Sequence, residues 1–265
     1  MSGELTNQLR VKGAVFAALI AMILAPSAQA VSGNNVSEEF HKTVPLSANG
    51  RVSLENINGN VEITGWERNE VQIDAVKSAR DQERLNEAKI EVEGSGDAVQ
   101  IRTRYPEGRT NDNPASVHYT LHVPASASVD KVNLVNGSLE ISQVSGEVNA
   151  SLVNGTLRAH DLSGRAKLST VNGSNNVEFR SLTNVSEVRI NAVNGSINLV
   201  LPSSPNAQIS ASTVNGNIKS DFPMQIESGF VGRHLSGTLG SGGTRIELSN
   251  VNGSTHIGPG GSGGM

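Results

Sequence analysis

The sequence predicts an all-β protein, a single-domain β-solenoid or parallel β-helix-like stack of coils of about 18 residues each. The first observation is a nine-residue repeat: from Val135 the chain reads VNGSLEISQ, VSGEVNASL, VNGTLRAHD, LSGRAKLST and VNGSNNVEF. The second is alternation, since the fifth and seventh positions of a unit are typically apolar, the period of a strand with one buried face. The third is the Asn-Gly or Ser-Gly pair near the start of each unit, which suits a tight turn.

An antiparallel β-meander or sandwich is the alternative architecture, in which each Asn-Gly pair forms a hairpin turn. There the apolar residue before each pair would lie on the polar face of the sheet, whereas a solenoid bend can direct it into the interior. Recurrence at 18 residues also favours the solenoid, because Asn136, Asn154 and Asn172 would stack and form an amide hydrogen-bond ladder. The residues expected to turn inward are Val135, Val144, Val153, Leu162, Val171, Val193, Val214 and Val251.

Further copies extend the pattern in both directions. ANGRVSLEN begins at Ala48 and INGNVEITG at Ile57, and later copies begin at Val193, Val214 and Val251. The spacing there loosens from 18 to 22, 21 and 37 residues, which indicates loops inserted between units. The predicted structural turn ladder consists of Asn58, Gly59, Asn136, Gly137, Ser145, Gly146, Asn154, Gly155, Ser163, Gly164, Asn172, Gly173, Asn194, Gly195, Asn215, Gly216, Asn252 and Gly253.

The remaining segments give the domain organisation. Residues 1–30 have the features of a signal peptide: Arg10 and Lys12, a short apolar run, and Ala28 and Ala30 at an A-x-A cleavage site. Residues 31–39 are expected to be a linker, and residues 259–265 a flexible glycine-rich tail. Residues 40–130 should form N-terminal strands and a cap with one short helix over 79–89, since stacked repeats need their open end covered. The solenoid repeats then occupy 131–258, continuous with the cap.

Composition excludes several classes of function. The chain has a net charge of −4, and because residues 1–30 contribute +1, the remainder carries −5 without any basic block, so nucleic acid is not an expected partner. There are no cysteines, which excludes disulfides and thiolate metal sites. Aromatic residues make up only 3% of the chain, with Trp66 the single tryptophan, which disfavours sugar-binding grooves. No segment after the signal peptide is apolar enough to cross a membrane.

A resemblance to a known family rests on several motifs in order: INGNVEITGW, Val123-Pro124 before the repeats, the VNG and LSG units, and a closing GTLGSGGTRIELSNVNGS. Over roughly residues 40–257 the chain resembles the bacterial β-strand-repeat proteins labelled "putative adhesin", domain of unknown function 4097. The resemblance implies an exported, β-helix-like, non-enzymatic domain associated with the cell envelope. It implies no catalytic residues, because the matched motifs are structural.

Histidines offer two candidate sites. His118 and His122 are four residues apart, but HYTLH reads as a strand, which separates them by about 13 Å and disfavours a shared metal ion. His160 and Asp161 are a conceivable base–carboxylate pair, yet adjacent strand residues point to opposite faces, so solvated bend residues are expected.

Other motifs also have structural explanations. Trp66 is a possible partner contact, although filling the corner of the first coil is the favoured role. GTLGSGGTR at 237–245 lacks the lysine and the helix of a phosphate loop and is expected to be a bend. The match of N-G-[ST] to a glycosylation acceptor follows from the turns themselves. Carboxylates such as Glu62, Asp74, Glu91, Glu93 and Glu140 show no spacing that predicts a shared cleft.

The sequence therefore predicts no catalytic, cofactor-binding or metal-binding residues. Its leading functional interpretation is an exported, non-enzymatic envelope scaffold or adhesin-like interaction protein, with the periplasm as the expected location and the cell surface or secretion as alternatives. Its partner would be an envelope protein or a polysaccharide surface. One alternative is a polysaccharide-binding or polysaccharide-active β-helix protein. A second alternative is a periplasmic accessory of an envelope signalling system.

Overall fold

The computed structural model describes residues 35–106, 114–228 and 232–260. The predicted signal peptide, residues 31–34 of the predicted linker, most of the polar loop before Ala115 and residues 261–265 of the tail lie outside the described residues. Nineteen strands and one short helix make up the described part. No helix within those residues is long and apolar enough to span a membrane.

The strands differ greatly in length, from three residues to 23. Their bounds are β1 (Val36–Asn58), β2 (Val61–Trp66), β3 (Glu70–Ala79), β4 (Lys89–Arg104), β5 (Ser116–Pro124), β6 (Ser128–Asn136), β7 (Leu139–Ser142), β8 (Val148–Asn154), β9 (Leu157–Leu162), β10 (Ala166–Asn172), β11 (Asn175–Phe179), β12 (Glu187–Asn194), β13 (Ile197–Leu201), β14 (Ala207–Asn215), β15 (Ile218–Ser220), β16 (Gln225–Ser228), β17 (Arg233–Leu239), β18 (Thr244–Asn252) and β19 (Thr255–Pro259). The helix, α1, spans Gln82–Glu87.

The predicted β-solenoid is confirmed. Each coil contributes one strand to each of two facing sheets, and an Asn-Gly bend joins the two strands. Sheet I contains β2, β7, β9, β11, β13, β19 and β15, and sheet II contains the second half of β1 together with β6, β8, β10, β12, β18 and β14. Neighbouring strands of successive coils are parallel and in register, with Asn136 opposite Asn154 and Asn172 opposite both Asn154 and Asn194. The antiparallel meander is therefore excluded for the repeats.

The order of the coils in space differs from their order in the chain. Seven coils stack in the order β1–β2, β6–β7, β8–β9, β10–β11, β12–β13, β18–β19 and β14–β15, and we number them coil 1 to coil 7. The C-terminal coil, which carries Val251, lies between the coils that carry Val193 and Val214. The long spacing before Val251 contains two antiparallel strands, β16 and β17, and β17 pairs with the outer edge of β14.

The opposite end of the stack is covered by the N-terminal segment. In sheet I, the first half of β1 pairs with β3, β3 pairs with β5, and both pairings are antiparallel, while β4 extends sheet II beside β1. Residues 36–39, predicted to be a linker, belong to β1, because β3 offers a free edge whose backbone groups bind them. The helix predicted over 79–89 is shorter, since β3 takes Ala79 and β4 takes Lys89.

Local chemistry explains where the helix begins and what it buries. The Asp81 carboxylate caps its first turn by accepting the backbone N–H of Arg84 at 2.8 Å. Leu85 and Ala88 are buried against the core, as their spacing in the sequence predicts. The helix is therefore a short cover between two strands.

The position of the apolar residue before each Asn-Gly pair corrects the sequence analysis. Val144 and Leu162, which precede Ser-Gly pairs, are buried, but Val135, Val153, Val171, Val193, Val214 and Val251 are 38–47% exposed. At the Ser-Gly bends Gln143 and Asp161 have positive φ, 58° and 56°, which breaks the alternation and turns the next residue inward. At the Asn-Gly bends the alternation continues to the end of the strand, so the valine points outward.

Candidate functional site

The Asn-Gly bends of the seven coils form one straight edge, which we call the Asn-Gly edge. Its central feature is a ladder of side-chain amides. Asn154 Nδ2 donates to Asn136 Oδ1 at 2.9 Å, and Asn172 Nδ2 donates to Asn154 Oδ1 at 2.9 Å. The same bond links every neighbouring pair of coils, at 2.8–3.0 Å, and the complete ladder is Asn58, Asn136, Asn154, Asn172, Asn194, Asn252 and Asn215.

A second set of hydrogen bonds runs along the same edge in the opposite direction. The backbone N–H of Gly137 donates to the carbonyl oxygen of Asn154 at 3.0 Å, and Gly155 and Gly173 repeat the contact one coil further on. Gly173 shows why a glycine is required at this position. Its φ is +148°, and a Cβ there would collide with the carbonyl oxygen of Gly155. The edge is therefore held by both side chains and backbone in every coil.

Two further rows of side chains flank the amide ladder. On the sheet II side lies the exposed Ile/Val row, which consists of Ile57, Val135, Val153, Val171, Val193, Val251 and Val214 in spatial order. On the sheet I side lies a row of small polar residues, which consists of Asn60, Ser138, Thr156, Ser174, Ser196, Ser254 and Asn217. Counting the glycines, the edge has four positions in each of seven coils and no charged side chain at any of them.

Sequence reasoning identified the ladder residues but missed the exposed row beside them. The valines would lie inside only if the Asn-Gly and Ser-Gly bends had the same backbone conformation. The distinguishing signal was present in the sequence: strict alternation from Leu134 predicts that Val135 points outward if the bend begins only at Asn136. At the other bend, Ser145 and Ser163 lie on adjacent coils, where the N–H of Ser163 donates to the carbonyl oxygen of Val144 at 3.2 Å.

The charged residues of the outer faces are largely engaged with one another. On sheet II, Arg189 contacts Glu187 at 2.8 Å and Glu247 at 2.9 Å. Lys131 hydrogen-bonds Glu55, and that contact lowers the pKa of the Glu55 carboxyl. These pairs offset part of the charge on the outer face of sheet II.

Trp66 lies at the end of β2, where its side chain has several partners. Its ring stacks on His122 with centroids 5.2 Å apart, and the guanidinium of Arg68 lies 4.8 Å from the centroid of the ring. Its Nε1–H donates to the carbonyl oxygen of Glu70 at 2.9 Å. These contacts hold the indole in place at the end of β2, which supports the role of filling a corner.

His118 and His122 do not share a site in the structure. His118 Nδ1 accepts the backbone N–H of Asn60 at 3.2 Å, while His122 stacks on Trp66, so each ring has its own partner. The described residues contain no group of three or more His, Cys, Asp or Glu side chains that could hold an ion.

His160 and Asp161 depart from the expected geometry. The positive φ of Asp161 brings its carboxylate to 3.5 Å from His160 Nδ1, so the two side chains do not point to opposite faces. Both are more than 40% exposed.

Two carboxylates whose proximity was not predicted from the sequence lie side by side on sheet I. Glu62 and Glu140 occupy directly paired positions of β2 and β7, beside a shallow depression of about 400 Å³ that His118 and Arg158 also line. His160 Nε2 lies 3.5 Å from a carboxylate oxygen of Glu140. Paired carboxylates beside one depression are what a polysaccharide-active β-helix would need, so this part of sheet I is where that alternative is tested.

These features define a class: an all-β repeat protein whose stacked coils present one uncharged edge between two charged faces. The chain belongs to the Toastrack DUF4097 family, whose model matches residues 27–258. A comparison with curated proteins finds no match.

One solved structure, that of a Clostridium sporogenes protein, shows the same fold, and two others are similar at lower scores. A "putative cell adhesion protein" from Clostridium sporogenes has a TM-score of 0.54 and 17% identity, covering 85% of this chain and 100% of that chain. A "putative adhesin" from Bacteroides fragilis has a TM-score of 0.37 and 10% identity, covering 84% of this chain and 97% of that one. A "putative lipid binding protein" from Parabacteroides distasonis has a TM-score of 0.34 and 13% identity, with coverage of 86% and 98%. At these identities the likeness concerns the fold alone.

Proposed function

We propose that this protein is an exported, non-enzymatic, adhesin-like protein of the cell envelope that binds its partner along the Asn-Gly edge. The observation that carries the proposal is the absence of charge along that edge. Charged residues make up 17% of the chain, so about two would be expected among the fourteen edge positions outside the Asn-Gly pairs, yet none is present. Depletion of charge at the centre of a patch is characteristic of protein interfaces.

The geometry of the edge suits recognition by repetition. The amide ladder and the backbone bonds fix each coil relative to the next, so the same group recurs at the strand spacing of about 4.8 Å. A partner with extended surface, such as an envelope protein or a polysaccharide, can then make one weak contact per coil without ordering the binding surface first. The description of the Clostridium sporogenes protein as a cell adhesion protein is compatible with such a role.

The test measures binding of residues 31–265 to outer-membrane fractions, peptidoglycan and a glycan panel at low and high salt. Because the edge is uncharged, we expect affinity to change little with salt. The variant Val153→Lys/Val193→Lys places two charges on the edge and should reduce binding at least tenfold. Its matched control, Thr183→Lys/Ser186→Lys, adds the same two charges at exposed positions between β11 and β12, away from the edge, and should bind normally.

Two results would contradict the proposal. Equal loss of binding in both double variants would show that the edge is not the binding surface. Hydrolysis of a polysaccharide that Glu140→Gln abolishes would show an enzyme acting on sheet I. Fractionation of tagged protein tests the location, for which we propose the periplasm, with exposure at the cell surface or secretion as the other outcomes.

A further inference from the structure

We propose that the Ile/Val row is the docking surface for a second copy of this chain, so that two molecules associate edge to edge. The inference rests on the proposed function, because it takes the Asn-Gly edge to be an interaction surface, and it narrows the envelope protein proposed there as a partner to a second copy of this chain.

The distribution of exposed apolar side chains points to this row. Eight large hydrophobic side chains are exposed in the part of the chain that the structure describes. Seven of them form the row, at 38–47% exposure, and the eighth is Val76 on β3. Scattered surface hydrophobics are ordinary, but a contiguous line of them marks an interaction site. Val144 and Leu162 show that the same fold can bury the corresponding residue at the other bend.

The dimensions of the row suit a protein dimer. Seven residues at strand spacing extend about 29 Å, and they present on the order of 400 Å² of apolar surface. Together with the amide ladder and the adjoining small polar row, the edge offers roughly 800 Å² per partner, the size of a standard stable interface.

Charge and spacing favour a second copy of this chain as the molecule that binds to the Ile/Val row. The protein is acidic, so two copies repel each other over most of their surfaces, but the uncharged edge brings them together without that cost. The row also repeats at the strand spacing of about 4.8 Å, and a second copy presents β-branched side chains at the same spacing. Identical rows of this kind can interdigitate as a dry zipper along their whole length.

Symmetry makes a specific contact testable. In a two-fold dimer the same row faces itself, with the axis either along the row or across its centre. Val171, in coil 4, is the central member of the row, and it meets Val171 of the second copy in both arrangements. Val135 meets its own counterpart only when the axis lies along the row, so it distinguishes the two arrangements.

The natural chain has no cysteine, so single-cysteine variants report contacts cleanly. Val171→Cys should form a covalent dimer under mild oxidation at least tenfold faster than Glu178→Cys, an exposed position in the same coil but on sheet I. The unmodified chain should sediment as a dimer at micromolar concentration. Val153→Lys/Val193→Lys should sediment as a monomer with an unchanged circular dichroism spectrum, and Thr183→Lys/Ser186→Lys should remain a dimer.

The outcomes separate this inference from the proposed function. If the unmodified chain is monomeric and Val171→Cys cross-links no faster than Glu178→Cys, a second copy is not the occupant. Should Val153→Lys/Val193→Lys nevertheless lose binding to envelope fractions or glycans, the edge is still an interaction surface with a different partner. A monomer whose binding is also insensitive to that variant overturns both proposals.

Discussion

Individual residues of the Asn-Gly edge determine how each coil is placed on the next, and we expect the glycines to tolerate substitution least. Gly173 combines a φ of +148° with a carbonyl oxygen of the neighbouring coil at the place where a Cβ would lie. We expect Gly173→Ala to lower the free energy of unfolding by about 3–5 kcal/mol, measured by chemical denaturation. Gly96→Ala is the matched control: its φ is +73° but no atom lies within 4 Å of the added Cβ, so it should cost only about 1–2 kcal/mol.

The amide ladder predicts that an asparagine in its interior matters more than one at its end. Asn154 both donates to Asn136 and accepts from Asn172, whereas Asn215 is bonded only to Asn252. Because the bonds are exposed to water, we expect Asn154→Ala to destabilise by about 1–2 kcal/mol. Asn215→Ala should cost about half as much in the same denaturation experiment. Equal costs would mean that the ladder contributes little beyond the backbone bonds.

The ion pair between His41 on β1 and Asp74 on β3 gives a pH dependence. Their hydrogen bond of 2.7 Å, with Glu39 close by, raises the pKa of His41 above 6.5, and it lowers the pKa of Asp74 below 3.8. The raised His41 pKa stabilises the fold below pH 6.5, and this stabilisation is lost as pH rises through the folded pKa. The lowered Asp74 pKa stabilises the fold above pH 3.8, and this is lost as pH falls through the folded value.

Asp74→Asn should therefore lower the thermal midpoint most between pH 3.8 and 6.5, and progressively less outside that window. Melting curves across a pH series measure the difference between the two proteins. Because His41 is largely exposed, the difference should also shrink at high salt. A difference that is constant across pH would indicate that Asp74 acts through Gln72, to which it is also hydrogen-bonded, rather than through His41.

Among the elements, the strands β16 and β17 protect the stack. Sheet II would otherwise end at β14, a long edge strand with unpaired backbone groups, and such edges recruit other chains. Leu235 of β17 is fully buried and lies opposite Ala211 of β14. Leu235→Ala should cost about 2–4 kcal/mol and increase aggregation on heating, measured by light scattering. His234→Ala, at an exposed position of the same strand, should change neither.

The sequence predicted the strands and the helix better than it predicted the bends that follow the strands. The nine-residue spacing and the alternation were sufficient for the repeat strands, because these follow from local periodicity. The choice of the solenoid over the meander rested on the recurrence of asparagine at 18 residues, which was right, and on inward valines, which was wrong. The conformation of the Ser-Gly bends was not predictable in that way. It depends on positive φ at Gln143 and Asp161, and neither residue type requires that conformation. The exposed Ile/Val row follows from this difference between the bends, so the sequence analysis missed it.

For the described structure as a whole, the repeat pattern also could not predict the order in which the coils stack. Every copy carries the same bend and the same apolar positions, so each fits beside any other, and periodicity alone cannot determine which neighbours pair. The two insertions between Val193 and Val251 determine it. The first insertion, residues 202–206, leads to β14, and the chain then forms β16 and β17 before it returns to pair β18 with both β12 and β14.

That return has a consequence for biosynthesis. β18 and β19 follow β14 and β15 in the chain, yet they fill the layer between that coil and coil 5. Until β18 and β19 are made, β14 has only its antiparallel partner β17, and both β14 and β15 lack the parallel partners that join their coil to coil 6. Coil 7 therefore takes its native place only after a segment that follows it in the chain has been made, so the order of synthesis and the order of stacking differ in this half.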